Sequence, residues 1–194
     1  MGKEPFMKKL NTRQLAFAGA LAAVSAVLQL YHLGYQSPQW GMWIDLVAVS
    51  WIIAYFLFGI RSALLVSFLG AVIITLFAPD TWLGASMKWV ATMPLFLFLY
   101  FSARLFKKNI SDYRHSKNLI LPLLAGIIVR NLLVIPLNYY YAIPIWTGMT
   151  PPQAIAAIPW YIIFAFNAVQ SVIDVLAAWL LVFKSRLDRF ASWK

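Results

Sequence analysis

The sequence predicts an all-α polytopic membrane protein, a single unit of six transmembrane helices spanning 1–194 with both termini cytoplasmic. Three observations carry that expectation. First, 62% of the 194 residues are hydrophobic and only 11% are charged, against about 45–50% and about 25% in an ordinary soluble domain. A water-soluble fold of this length could not hide that much apolar surface. Second, six continuously apolar stretches follow one another, each long enough to approach or exceed ~30 Å of hydrocarbon. Third, the 16 Lys and Arg that outnumber 6 Asp and Glu are not scattered. They fall in alternate loops, which is the sidedness expected of a membrane protein.

The apolar stretches lie at about 14–33, 43–60, 62–78, 86–105, 119–142 and 157–184. None shows the period-2 alternation of a membrane β-strand, so helices are expected. The first follows Lys8, Lys9 and Arg13 and could pass for a signal peptide. Its apolar run from Leu15 to Leu33 is longer than a signal core of about 7–15 residues, and it reads as a retained helix. Only Gly59, Ile60 and Arg61 separate the second and third stretches, which predicts a tight helical hairpin.

With six spans, fourteen cations fall on one side: the N-terminal tail, Arg61, the 104–117 loop and the C-terminal tail. The loops at about 34–42, 79–85 and 143–156 contain no Lys or Arg. The net charge of +10 is therefore read as orientation charge. A nucleic-acid binder would need a soluble basic surface, and 9 Trp, 9 Tyr and 14 Phe exclude a disordered chain. The uncharged, aromatic, Gly- and Pro-shaped outer loops read either as an interfacial belt or as lids over a pocket.

Polar groups at membrane depth are costly and mark sites of function or of packing. Counting about 1.5 Å per residue from the cytoplasmic ends places Arg130 at ~16 Å and Asp174 at ~14 Å, level enough to pair. That pair serves either helix packing or substrate binding. A higher layer holds Asp45, Lys88, Asn167 and Asn138 at roughly 22–28 Å, beside Trp43, Trp89, Tyr139, Tyr141 and Phe166. Four helices contribute to it. Flat aromatic faces with a few polar groups are what a small-molecule site needs. The alternative is a snorkelling Lys88 and a helix-capping Asp45.

Helix one carries small-xxx-small spacings through Ala16, Ala18, Ala20, Ala22 and Ala26, either for packing within the bundle or for docking another membrane protein. Catalytic constellations are missing. The sequence has no phosphate-binding Gly-x-x-x-x-Gly-Lys-Ser/Thr loop, no cysteine and no His-Glu-x-x-His. His32 and His115 fall on opposite sides of the six-span topology. An enzyme is not expected, and neither is a metal or a resident cofactor.

Several stretches resemble the substrate-binding S components of energy-coupling factor (ECF) vitamin transporters. They are the Ala-rich Leu15–Ala23 after a basic tail, and Ile44-Asp45-Leu46 followed by Phe58-Gly59-Ile60, with Val47 and Ile60 where those proteins often have proline. Leu83–Lys88, Leu137–Trp146 and Ala165–Gln170 are most similar to the riboflavin-specific members, with Lys88 in place of Asn and Gln170 in place of Lys.

The resemblance implies a vitamin-capture subunit in a prokaryotic cell membrane, with riboflavin or a related flavin as transported ligand rather than cofactor. Its implied partners are a transmembrane coupling protein, contacted through the helix-one alanines, and two ABC ATPase subunits. The implied pocket has Trp43, Tyr139, Tyr141 and Phe166 stacking on a flat ring and Asp45, Lys88, Asn138, Asn167 and Gln170 at its edges. Trp40 would lie in the loop that closes over it. The competing readings are a non-transporting membrane scaffold, a stand-alone facilitator, and an S component for another vitamin.

Overall fold

A computed structural model describes residues 11–31, 33–77 and 81–193. His32 and the lysines of the two tails, Lys3, Lys8, Lys9 and Lys194, lie outside the described residues.

Helix α1, Thr12–Leu30, opens on a reciprocal cap. Asn11 Oδ1 accepts from Gln14 N–H at 2.8 Å, and Gln14 Oε1 accepts from Asn11 N–H at 3.0 Å, satisfying two end donors. Ala18, Ala22, Ser25, Ala26 and Gln29 are buried along one stripe of this helix. The five alanines expected to form a docking face therefore divide. Ala18, Ala22 and Ala26 pack inside the bundle, and Ala16 and Ala20 are exposed. The cause is helical rotation: residues 18, 22 and 26 share a face that meets α2 and α3. Close approach there also needs Gly70, where a Cβ would come within 2.9 Å of Ser25 Oγ and 2.8 Å of Trp51 Nε1.

The loop after α1 holds a feature not expected of an all-α chain. Strands β1, Gly34–Gln36, and β2, Trp43–Asp45, pair antiparallel with Tyr35 opposite Ile44. The second expected span, 43–60, is thus a strand followed by helix α2, Val47–Phe58. At 12 residues α2 is about 18 Å long, too short to cross the hydrocarbon alone. All 12 of its residues are buried, as suits a helix that is apolar all round.

Burying a helix end leaves carbonyls without water. The C-terminal tail supplies donors: Ser192 N–H to Leu57 O at 2.9 Å and Trp193 Nε1–H to Phe56 O at 2.8 Å. Gly59, at φ +86°, turns the chain directly into α3, Ile60–Phe77.

Helix α4, Thr81–Leu105, starts one turn before the expected 86 and packs along α5, Lys117–Leu137. Between them a 3₁₀ turn, Ile110–Arg114, buries Tyr113, whose hydroxyl donates to Leu99 O. Burial raises that phenol above the ordinary tyrosine range and keeps it a donor.

The expected fifth span, 119–142, continues past α5 through a π-helical turn, Asn138–Ala142, into α6, Ile143–Thr147. Pro136 in the last turn of α5 and Pro144 in the first turn of α6 lack the N–H that regular α-pairing needs, which favours an irregular turn between them. The expected loop 143–156 contains α6 and a short capped helix α7, Pro151–Ala157. Helix α8, Trp160–Trp179, ends in a second π turn, Leu180–Lys184, and a 3₁₀ turn, Leu187–Phe190.

Among the described residues, four helical stretches are long and apolar enough to cross a membrane: Thr12–Leu30, Trp82–Leu105, Lys117–Thr147 and Trp160–Lys184. The helices Val47–Phe58 and Ile60–Leu76 are shorter apolar segments. The described cationic ends gather at one end of the bundle. Arg13 lies over the rings of Phe17 and Phe190, Phe17 meets Phe58, and Arg114 pairs with Asp188. The β-hairpin, the first turns of α4 and α8 and the α5–α6 junction lie at the other end.

Candidate functional site

A cavity of about 520 Å³ opens beneath the β-hairpin, within the range usual for small-molecule sites. The hairpin contributes Gln36, Trp40, Met42, Trp43 and Asp45. Helix α4 contributes Lys88 and Thr92, α5 contributes Arg130 and Val134, and the π turn contributes Asn138. Trp146 and Thr147 come from α6, and Phe166, Asn167, Gln170 and Asp174 from α8. Trp40 and Phe166 meet edge to face, ring centroids 6.5 Å apart.

Asp45, Lys88, Arg130, Asn167, Gln170 and Asp174 form one connected network rather than two layers. Gln170 is its hinge point. Its Oε1 accepts from Asp45 N–H at 2.9 Å, and its Nε2 donates to Asp45 O at 2.8 Å and to Asp174 Oδ1 at 2.7 Å. One side-chain amide thus satisfies both backbone groups of Asp45 as a neighbouring strand would. The carboxylate of Asp45 accepts from Val47 N–H at 2.9 Å, anchoring the start of α2, and pairs with Lys88 Nζ. Deeper down, Arg130 Nε donates to Asn167 Oδ1 at 2.9 Å and Arg130 Nη1 lies 3.5 Å from Asp174 Oδ2. Asn167 Nδ2 and Asn138 Nδ2 each bond a carbonyl one turn back in their own helices. The two cations face two carboxylates, so this part of the wall has no net formal charge. Such a cavity suits a flat neutral ligand with polar edges better than an ion, because an added charge would go uncompensated.

Of the ten residues expected at the pocket, eight line the cavity: Trp40, Trp43, Asp45, Lys88, Asn138, Phe166, Asn167 and Gln170. Tyr139 and Tyr141 do not. Tyr139 is buried toward α7 with its hydroxyl donating to Ile158 O at 2.7 Å, and Tyr141 stands against Trp82 and Ser86. The π turn is the reason. Its i→i+5 bond, from Ile143 N–H to Asn138 O, makes Ile143 and not Tyr141 the next residue on the cavity face. Trp89 is also turned away, its Nε1–H donating to Ser67 Oγ at 3.2 Å.

Conversely, Arg130 and Asp174, expected below the pocket, line its deeper part, and Gln29, Thr92 and Thr147 line it as well. Gln29 was open to detection, as an amide inside an alanine-rich span. Thr92 sits one turn after Lys88 and was as open.

A family model described as ECF transporter, substrate-specific component, matches residues 13–182, a stretch that includes every cavity residue. The riboflavin transporter RibU of Streptococcus thermophilus is 30% identical over 139 residues, which is 70% of this chain but only 63% of that relative's own length. A solved structure of the S component of a bacterial ECF transporter superposes with a TM-score of 0.70 over 92% of this chain and 96% of that one, at 22% identity, a likeness of fold. With the family match running from α1 through α8 and the fold shared over nearly the whole length, this chain belongs to the substrate-specific components of ECF transporters.

Proposed function

We propose that this chain captures riboflavin or a closely related flavin from outside the cell and hands it to a transport complex. In this reading it crosses the cell membrane six times with both termini cytoplasmic, and it works with a transmembrane coupling protein and two ABC ATPase subunits. The observation that carries the ligand is the cavity itself: aromatic rings from the hairpin and α8, amides from the π turn and α8, and balanced charges. The kinship with a riboflavin transporter supports the choice of flavin.

Trp43 and Phe166 supply ring faces, and Asn138, whose Oδ1 has no hydrogen-bond partner among the described residues, is free to meet a polar ring edge. The hairpin with Trp40 covers the mouth, and Lys88 and Gln170 hold it in place through Asp45.

Purified protein is expected to carry a yellow flavin absorbance or to bind added riboflavin in a calorimetric titration. Absence of binding to riboflavin, thiamine, biotin, folate and pyridoxine alike would sink the reading and leave a scaffold. Within it, Asn138→Ala is expected to weaken binding at least tenfold, about 1.4 kcal/mol. An unchanged dissociation constant would remove Asn138 from the site.

The coupling surface is narrower than the sequence implied. Ala16 and Ala20, one turn apart and exposed, leave room for a second helix to approach, and Gly19 between them meets nothing within 4 Å of an added Cβ. Ala16→Trp and Ala20→Trp are expected to abolish uptake by the assembled transporter while riboflavin affinity stays unchanged. Ala22→Trp is expected to disrupt the bundle instead, because Ala22 is buried against α2 and α3. Full uptake with Trp at both 16 and 20 would move the docking face off α1.

A further inference from the structure

The cationic end of the bundle, opposite the cavity, holds a second pocket. It is an open depression bounded by the 3₁₀ turn that ends at Arg114, the first turn of α5, the end of α8 and the π turn after it. Arg114, His115, Lys117 and Lys184 line it beside Trp179. Three contacts hold its lining side chains in place. Arg114 is braced by the buried Asp188, Trp179 Nε1–H donates to Tyr113 O at 2.7 Å, and Lys184 Nζ sits 5.4 Å from the centre of the Trp179 ring. The backbone N–H groups of Asn118 and Leu119 are already taken by His115 O and Ser116 O. The pocket is therefore built by cationic side chains, not by a helix end.

What leads away from it is apolar. Ile120 and Leu124 on α5, and Leu176 on α8 with Leu180 at the start of the π turn that follows it, are exposed one turn apart, forming two stripes that run from Lys117 and Lys184. A compact negative group continued by hydrocarbon chains matches both parts. We propose that this pocket binds the phosphate of an anionic phospholipid, with the acyl chains lying along those two stripes. Basic pockets between helices at a membrane surface hold such headgroups by charge, which here falls to Lys117 and Lys184, since Arg114 is already paired with Asp188. The proposal requires only that the chain lies in a bilayer, and it stands or falls independently of the flavin.

The test is native mass spectrometry of the full chain released from detergent with phosphatidylglycerol or phosphatidylcholine added at equal concentration. At least tenfold preferential retention of phosphatidylglycerol is expected for the wild type. The preference should be lost in Lys117→Gln/Lys184→Gln and kept in Lys117→Arg/Lys184→Arg, which preserves the charge. If the double glutamine variant does not fold, Lys117→Gln alone should lower the preference about threefold. Equal retention of the two lipids, or a preference that survives both glutamine changes, overturns the proposal. So does competition by millimolar inorganic phosphate that strips the lipid's advantage, since the site would then belong to free phosphate.

Discussion

Asp174→Ala is expected to lower the unfolding free energy by about 3–5 kcal/mol, the cost of leaving a buried partner charge uncompensated. Both side chains of the Arg130–Asp174 pair are almost fully buried, at 6% and 0% relative exposure. Removing the carboxylate leaves the guanidinium with one remaining side-chain bond, from Nε to Asn167 Oδ1. It also strips Gln170 Nε2 of one of its two acceptors. Chemical unfolding in detergent, followed by tryptophan fluorescence, measures the effect. An apolar double replacement, Arg130→Met with Asp174→Leu, is expected to recover most of the loss, since it removes both charges together. It should still bind ligand poorly, because both residues form the cavity floor. A loss below about 1 kcal/mol for Asp174→Ala would show that the pair is hydrated and contributes little.

Gln170→Ala is expected to produce the largest effect on the ligand that does not act through a buried charge. The amide satisfies Asp45 N–H, Asp45 O and Asp174 Oδ1 at once. Each group left unsatisfied in a buried setting costs about 1–3 kcal/mol. Water entering from the cavity offsets part of this, so a stability loss of about 2–3 kcal/mol is expected. Of the contacts described above, the Lys88–Asp45 pair and the Trp40–Phe166 ring contact would then remain to hold the hairpin. Riboflavin dissociation should accelerate at least tenfold, with a smaller change in association, because the loss is of the cover rather than of a ring contact. Stopped-flow fluorescence separates the two rates. An unchanged dissociation rate would mean that the hairpin does not cover the ligand. Gln170→Glu tests the same bond from the other side. It keeps the acceptor for Asp45 N–H, loses the donor, and sets a second carboxylate beside Asp174, so it should be no better than alanine.

Both effects rest on contacts between residues far apart in the chain. The polar residues of the cavity were legible one by one, because a charge or amide inside an apolar span stands out against its neighbours. Lys88, Arg130, Asn138, Asn167 and Asp174 were all visible that way. Apart from Arg130 and Asp174, which depth counting puts level enough to pair, their partners were not. Gln170 and Asp45 are 125 residues apart, and Lys88 and Asp45 are 43 apart. No local pattern records which amide meets which backbone. Counting depth at a uniform rise put Asp174 and Asp45 on separate levels, yet a single glutamine spans them.

Tyr139 and Tyr141 fail for a different reason. Their stretch reads as regular helix, and one π turn re-aims everything after Asn138. The alanines of α1 show the same limit: their spacing announces close packing but cannot say which neighbour is packed against.

What the sequence determined by itself is what a bilayer imposes residue by residue: apolar length, helical rather than strand periodicity, and cations segregated by loop. These are properties of consecutive residues, and the solvent reads them directly. Only the tertiary structure decided that α2 is a buried short helix behind a β-hairpin and that three of the five helix-one alanines face inward. It alone joined two polar levels into one cavity wall. Each of these depends on the rotation of one helix against another, and a helix apolar on every side carries no mark of which side will be covered.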